Sequence, residues 1–326
     1  MAAHCRARSP KRVKELKARI SSNTEYSLAG LRIVSEVPLP PVMLSRNGVS
    51  RQEEIAVQYG QVPTDLPSAQ TFPDAQVRGE ELLLDIPDVA RFLVRGGRQI
   101  VIEAAPCADE GDISAWLLGT VFAALCHQRG IVPLHGSAID IPGGCAVFVG
   151  ASGAGKSTLA AALAARGHQV ISDDVCFLRR DDSGNIKVWP GIGRMRLWPD
   201  TLEALGYDAS SIERELRGYN KFLVPVKTPE QPLAPRRLRG VYQLEAAPTG
   251  EAPSVTRLNG AATIELLIPN VYRLTLAEYM GGKPAIFALC TAIANEVPVY
   301  RFRREVGFEA LPGTVDRLEA HLFNAG

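Results

Sequence analysis

The stretch VFVGASGAGKSTLAAAL, residues 147–163, constrains the fold of this chain more than any other part of the sequence. An apolar run precedes a glycine-rich segment, and leucines four residues apart follow it among alanines, which predicts a strand, a turn and a helix. The glycines permit a backbone path whose N–H groups point inward, and the helix adds the positive end of its dipole. We therefore predict a phosphate-binding loop over Gly150–Ser157, followed by a helix over Lys156–Arg166.

The loop fits the pattern G-x-x-x-x-G-K-[ST], in which each residue type has a chemical task. Lys156 is expected to neutralise the β- and γ-phosphates of a nucleoside triphosphate, and Ser157 to place its hydroxyl on Mg²⁺. No guanine-reading NKxD motif follows, since Phe222-Leu223 comes after Asn220-Lys221, so ATP is favoured. The residues predicted to bind it along the loop are Gly150, Ala151, Ser152, Gly153, Ala154, Gly155, Lys156, Ser157 and Thr158.

Composition narrows the class of protein. Of the 326 residues, 46% are hydrophobic and 22% are charged, which predicts a globular chain, and a net charge of +1 argues against nucleic acid as a partner. No apolar run reaches the roughly 20 residues of a membrane span, and no signal peptide is present, so we expect no membrane partner. Six scattered cysteines without a CxxC pair predict reduced, buried thiols in a cytoplasmic protein.

The chain divides into three predicted segments. Residues 1–22 are basic and are interpreted as a flexible N-terminal segment, and residues 23–110 as a small strand-rich N-terminal domain. In the latter, Tyr26–Val37 is a predicted strand, whereas Pro40–Pro73 is proline-spotted and weakly patterned. Residues 111–326 alternate strands and helices, starting with a helix capped by Asp112, and the fold class is therefore α/β with a mixed sheet.

Two adjacent carboxylates, Asp173 and Asp174, end the apolar run QVIS, 17 positions after Lys156. A strand that returns from the loop helix lies beside the loop strand or close to it, so its carboxyl end faces the phosphates. One carboxylate there can hold Mg²⁺, and the other can accept a proton from a hydroxyl nucleophile. The residues alone do not decide which carboxylate does which.

The stretch LHGSAIDIPGGCAVFVGASGAGKSTLAAALAARGHQVISDD resembles the catalytic core of HPr kinase/phosphorylase. The shared features are His135-Gly136 on a strand, the turn Pro142–Gly144, the phosphate loop, Arg166-Gly167-His168 and the double aspartate. The resemblance implies an HPr kinase/PEP carboxykinase-like P-loop core, Mg-ATP as cofactor and phosphorylation of a serine hydroxyl.

The resemblance also implies roles for individual residues. It makes Asp174 the proton acceptor and places Asp173 near the metal, with Ser157 as a Mg²⁺ ligand. His135 and Lys156 match active-site residues of the family. His135 is expected to orient either Asp174 or a phosphate.

Beyond residue 190 the chain departs from the HPr kinases. Their later acidic signature corresponds to Gly191–Asp200, which carries Arg194 and Arg196 but no matching glutamate, and this puts the reverse phosphorolysis in doubt. Either arginine is a candidate for stabilising charge on the transferred phosphoryl group, and Lys221 is another candidate phosphate contact. The RMRLWP stretch resembles a branch associated with lasso-peptide biosynthesis, whose members phosphorylate a C-terminal serine of the precursor peptide.

Three functions remain open on the sequence. The leading one is an ATP-dependent serine kinase acting on a peptide or small protein, most like the lasso-peptide precursor kinases. The second is a kinase of HPr or of free serine, and the third is an ATP-binding regulatory protein without phosphotransfer. Nothing in the sequence decides between a monomer and a homo-oligomer.

Overall fold

The computed structural model describes residues 24–44, 54–212, 214, 220–226 and 233–324. The chain forms two compact units, which divide between Arg129 and Gly130. The helical segment before this division therefore falls within the first unit, whereas the sequence-based boundary lies at residue 110. The basic segment 1–22 lies outside the described residues.

The first unit contains one eight-stranded sheet and a helical segment. In space its strands run in the order β1-β2-β3-β8-β7-β6-β5-β4, and only the β2–β3 and β3–β8 pairs are parallel. The strands are β1 (Thr24–Leu28), β2 (Leu31–Ser35), β3 (Glu54–Tyr59), β4 (Gln70–Thr71), β5 (Ala75–Arg78), β6 (Glu81–Ile86), β7 (Ala90–Arg95) and β8 (Gln99–Ala104), and the helices are α1 (Glu110–Trp116) and α2 (Phe122–Gln128), with a π-helical stretch at Leu117–Val121 between them.

Three expectations for this unit are corrected. The predicted strand Tyr26–Val37 is a hairpin, because Ala29 and Gly30 take φ values of 55° and 75° and turn the chain. The proline-spotted region contains β3, whose alternating burial places Ile55 and Val57 in the core. Asp109 rather than Asp112 caps α1, since its carboxylate accepts a hydrogen bond from the Gly111 N–H at 2.9 Å.

The second unit is built on a mixed sheet with helices on both faces. Its elements are β9 (Val132–Ile141), β10 (Gly144–Val149), α3 (Lys156–Ala165), β11 (Val170–Ser172), β12 (Val175–Arg180), β13 (Ile186–Trp189), β14 (Arg194–Leu197), α4 (Pro199–Ala204), β15 (Phe222–Pro225), β16 (Arg236–Ala246), β17 (Ser254–Leu258), α5 (Ala261–Leu267), α6 (Leu274–Tyr279), α7 (Lys283–Glu296), β18 (Val299–Arg304) and α8 (Leu311–Asn324).

Strand β10 lies in the middle of this sheet and is buried on both faces. Val147 and Val149 pack in the cluster that includes residues of α5, α6 and α7, whereas Ala146 and Phe148 pack in the cluster with α3 and α8. The neighbours of β10 are β9, antiparallel, and β16, parallel. A strand covered on both faces reads as a continuous apolar run, which explains the CAVFV sequence.

The strand directions bring three chain segments to one edge of the sheet. Strand β11 is antiparallel to β9 and therefore runs parallel to β10, while β18 is parallel to β16 and hence also to β10. The carboxyl ends of β10, β11 and β18 consequently lie on the same side, where ligands bind in α/β folds. Among the described residues, no helix combines the length and apolar character that a membrane span requires.

Candidate active site

The loop after β10 has the backbone path predicted from its glycines. Gly150, Gly153 and Gly155 have φ values of 146°, 81° and 81°, and α3 begins at Lys156. A side chain at Gly150 would also meet the main chain, because a Cβ there would lie 2.9 Å from the Leu244 carbonyl oxygen. The Gly150 N–H donates to the Asn270 side-chain oxygen at 2.9 Å, which fixes the start of the loop.

Lys156 lies folded against this loop. Its Nζ donates to the carbonyl oxygens of Gly150 and Ala151 at 2.8 and 3.0 Å, and the residue is 7% exposed. Burial lowers the pKa of Lys156, while the nearby Asp174 and Asp173 carboxylates oppose that shift. The ammonium is therefore held within the loop, where a phosphate oxygen can replace either carbonyl as its partner.

Asp173 is the buried member of the aspartate pair. Its carboxylate accepts hydrogen bonds from the Ser137 hydroxyl at 2.6 Å and from the Arg196 N–H at 2.9 Å, and it is also bonded to Ser157. Burial raises the pKa of Asp173, against the effect of these hydrogen bonds. This carboxylate therefore ties β9, β14 and the start of α3 together.

Asp174 points the other way, into a cavity. It has a φ of 68°, which breaks the strand between β11 and β12. Its carboxylate accepts a hydrogen bond from Arg196 Nη1 at 2.6 Å. Burial would raise the pKa of Asp174, but the charges of Arg196, His135 and Lys221 outweigh burial and lower it. The carboxylate is thus kept ionised at the cavity wall.

His135 stands on β9 beside Asp174. Its Nδ1 lies 2.9 Å from the Asp174 carbonyl oxygen and 3.7 Å from the nearer carboxylate oxygen. Since a carbonyl oxygen can only accept, Nδ1 carries the proton. Burial, followed by the Lys156 charge, lowers the pKa of His135, whereas the Asp174 carboxylate opposes that shift.

Arg196 is turned toward the aspartates by its position on β14, which pairs with β15 in a small antiparallel two-stranded sheet. Met195 and Leu197 on either side of it are buried against the α3 side of the unit, so the alternation of the strand turns Arg196 the opposite way. Lys221, just before β15, lies 4.9 Å from the centre of the Trp198 ring. These residues close the cavity beside Asp174.

One cavity of about 270 Å³ brings most of the predicted site residues together. It is lined by four cationic side chains and only two carboxylates, a balance suited to a polyphosphate. The predicted residues that line it are His135, Ser152, Gly153, Gly155, Lys156, Ser157, Thr158, Asp174, Arg196 and Lys221.

The remaining predicted residues lie outside the lining of this cavity. Gly150, Ala151 and Ala154 belong to the loop backbone, and Asp173 lies beneath the wall in contact with Ser157. Arg194 precedes Arg196 on β14 but does not line the cavity.

Sequence reasoning missed several residues of this site. Arg304, at the end of β18, lines the cavity and donates to the Ala154 carbonyl oxygen at 2.5 Å. Val306 and Phe308 follow it in the lining, and Asn270 supports the loop from 120 positions away. The aspartates were predicted from the rule that strand ends meet at one sheet edge. The same rule, applied to the run RFRREVGF, predicts Arg304 as a residue of this site.

The residues present could hold a Mg²⁺ ion only if phosphate oxygens supplied further ligands. Ser157 offers a hydroxyl, and Asp173, hydrogen-bonded to it, offers a carboxylate whose oxygens are already engaged. Among the described residues, no group of three or more His, Cys, Asp or Glu side chains could hold a metal ion. The remaining ligands of a Mg²⁺ ion would accordingly be phosphate and water oxygens, as this ion prefers.

Comparisons with known proteins add little to this geometry. No protein-family model matches the chain, and no curated protein matches it. Among solved structures, the chain is similar to the Hpr(Ser) kinase/phosphatase from Coxiella burnetii, with 15% identity, coverage of 60% of this chain and 99% of that one, and a TM-score of 0.30. A similarity at this level carries no argument about function, which therefore depends on the cavity itself.

Proposed function

We propose that this protein is an ATP-dependent serine kinase with an HPr kinase-like core. The observation that carries the proposal is the single cavity in which a phosphate-binding loop faces the ionised carboxylate of Asp174. The loop, Lys156 and Ser157 suit the triphosphate of Mg-ATP, and the carboxylate suits the incoming alcohol. Their meeting at one sheet edge supports phosphoryl transfer as the reaction.

The chemistry assigns a task to each side chain. The acceptor hydroxyl approaches between Asp174 and the γ-phosphate, its oxygen forms the new P–O bond, and the bond to the β-phosphate oxygen breaks. Asp174 accepts the hydroxyl proton, and its lowered pKa suffices because little base strength is needed in a loose transition state. Mg²⁺, when bound, neutralises charge on the β- and γ-phosphates.

Two neighbours of Asp174 support the transfer. Arg196 holds the carboxylate at 2.6 Å and carries charge that can stabilise the moving phosphoryl group. His135 positions the backbone of Asp174 through its carbonyl oxygen. Lys156 lies within the loop, where it meets the leaving β-phosphate.

For the acceptor, we propose a serine in a peptide, at the C-terminus of a lasso-peptide precursor, on the resemblance of the RMRLWP stretch. HPr and free serine are the alternative acceptors. The alternative of another class is a regulator that binds ATP without phosphotransfer. Such a protein would not need an ionised carboxylate beside the phosphate-binding loop.

The direct experiment incubates the protein with Mg²⁺ and γ-labelled ATP and a panel of acceptors. The panel contains a peptide ending in serine, the same peptide ending in alanine, HPr and free serine. Label on the serine-terminated peptide alone supports the proposal, and label on HPr alone supports the alternative acceptor. ATP binding with no transfer to any acceptor supports the regulator.

The variant Asp174→Asn tests the mechanism. We expect kcat to fall by about 10²–10⁴-fold, the usual contribution of a positioned acid or base, with the Kd for ATP nearly unchanged. The matched control is Asp200→Asn in the same cavity, because that carboxylate is engaged by the Thr201 N–H at 2.7 Å. Equal losses in both variants, or a fully active Asp174→Asn enzyme, would contradict the assigned role.

A further inference from the structure

The cavity has a second end that the phosphotransfer chemistry does not use. Strand β11, which the two aspartates follow, lies on the β9 side of β10, whereas β18 lies beyond β16 on the other side. The residues that follow β18 therefore meet the phosphate loop from the side opposite Asp174. In an in-line transfer the leaving oxygen points away from the acceptor, so the α-phosphate and the nucleoside extend toward that side.

Arg304 is the charged residue at this end. It is 9% exposed, its Nη2 donates to the Ala154 carbonyl oxygen, and its Nη1 donates to the Glu305 carbonyl oxygen at 3.2 Å. Its buried Nε has no hydrogen-bond partner, and among the described residues no carboxylate pairs with its guanidinium. A buried, unpaired positive charge is costly unless an anion joins it.

An apolar surface adjoins this charge. Val306 is 69% exposed and Phe308 is 40% exposed, and both line the cavity together with Leu311 at the start of α8. Large apolar side chains left in water beside a buried arginine match a ligand that is anionic at one end and flat and apolar at the other. A nucleotide has this shape, with the base as the flat end.

We propose that residues 304–311 form the nucleoside subsite, in which Arg304 contacts the α-phosphate and Phe308 stacks on the base with Val306 at its edge. This inference rests on the proposed function for the direction of the triphosphate. It adds the residues that distinguish a nucleotide from a bare polyphosphate. The subsite belongs to a segment that is about 150 positions distant from the loop in sequence.

Binding of two probes by calorimetry tests the subsite: Mg-ATP and Mg-tripolyphosphate, which lacks a nucleoside. We expect Phe308→Ala to raise the Kd for ATP about tenfold, or roughly 1.4 kcal/mol, and to leave the Kd for tripolyphosphate unchanged. Phe287→Ala is the matched control, because Phe287 is 57% exposed on α7 and does not line the cavity.

Arg304→Met supplies the second measurement. Since the inferred contact is the α-phosphate, the variant should bind ATP about tenfold more weakly, while its thermal unfolding stays close to that of the wild type. Tripolyphosphate also offers a third phosphate, so its affinity should fall as well. A variant that unfolds much earlier than the wild type would mean that Arg304 supports the loop and not the ligand.

Several outcomes overturn the subsite. Equal affinity of the wild type for ATP and tripolyphosphate would do so, as would a Phe308→Ala variant whose KM rises for the acceptor peptide alone. If Trp198→Ala abolished the preference for ATP over tripolyphosphate while Phe308→Ala left it unchanged, the base would lie at the other end of the cavity. Failure of the proposed function is distinguishable, because a wild type that binds ATP with the stated Phe308 dependence but transfers no phosphate keeps the subsite and loses the kinase.

Discussion

The two compact units use charged side chains differently. In the first unit the ion pairs lie at the surface, such as Arg32 with Glu54 at 2.9 Å and Arg95 with Glu81 at 3.0 Å, and none of its described Asp, Glu, Lys or Arg residues is buried. In the second unit, Asp173, Lys156 and Arg304 are buried around one loop. Because buried charges cost stability and surface pairs contribute little, the contrast marks the second unit as the one that carries the candidate site.

The largest expected effect is a difference in reactivity between the exposed thiol of the first unit and the buried thiols. Cys107 of the first unit is exposed, contrary to the expectation of buried thiols, whereas Cys126 of the same unit and Cys145, Cys176 and Cys290 of the second unit are buried. Burial raises the pKa of Cys290 to about 11 and that of Cys145 to about 12. At about pH 8 we expect Cys107 to react with a disulfide reagent at least about a hundredfold faster than these thiols, because only the thiolate attacks.

The measurement is the absorbance released by the reagent in a Cys5→Ser background, since Cys5 lies outside the described residues. Adding Cys107→Ser should remove the fast phase. A fast phase that survives in the double variant would show that Cys126 or a thiol of the second unit is open to solvent, and would contradict the burial of these thiols.

The next largest effect is expected on the free energy of unfolding of the Asp173→Ala variant. The change leaves the Ser137 hydroxyl and the Arg196 N–H without their acceptor, and a buried network broken in this way costs about 3 kcal/mol in the free energy of unfolding. Urea unfolding measures it, with the shape-conserving Asp173→Asn as the control that should cost less. A loss below about 1 kcal/mol for Asp173→Ala would contradict the network.

The same carboxylate gives a pH signature. Burial raises the pKa of Asp173 above 3.8, its ordinary value and the one expected in the unfolded state. The native state therefore binds the Asp173 proton more tightly than the unfolded state does. The free energy of unfolding should therefore fall as pH rises through the window between the two pKa values, by at most about 1.4 kcal/mol per pH unit. Asp173→Asn should flatten this slope, and an unchanged slope would mean that another group causes it.

The smallest effect is expected for Glu81→Gln in the first unit. Glu81 pairs with Arg78 and Arg95 at the surface, and its lowered pKa has the Arg78 hydrogen bond as its main cause. Exposed pairs contribute about 0.2–1 kcal/mol, and salt weakens them further. Urea unfolding at low and high salt should give a difference from the wild type that is small and shrinks with salt. A loss comparable to that of Asp173→Ala would erase the contrast between the units.

Local signals predicted the parts of the site that lie close together in sequence. The glycine spacing located the loop, the helix start at Lys156 matched, and the two aspartates lie at the predicted sheet edge. The assignment of Asp173 to the metal and Asp174 to the proton stays a prediction. The opposite orientations of the two carboxylates, one buried and one facing the cavity, are compatible with it.

The parts that were missed depend on contacts distant in sequence. Arg304 becomes a neighbour of the loop only through the pairing of β16 with β18, and Asn270 only through the packing of the segment before α6. In the first unit, β3 was missed because it joins β2 and β8 as a parallel strand and has no hairpin turn to mark it. Pairing between distant strands leaves no local pattern.

The main chain at residue 174 is anchored independently of its carboxylate. The Asp174 carbonyl oxygen accepts hydrogen bonds from the Gly136 N–H at 3.2 Å and from the His135 ring, while φ is held at 68°. Asparagine tolerates this left-handed conformation, whereas a β-branched residue does not. Electrostatics and backbone shape can accordingly be altered one at a time at this position: asparagine would remove the charge and keep the bend, and valine would disturb both.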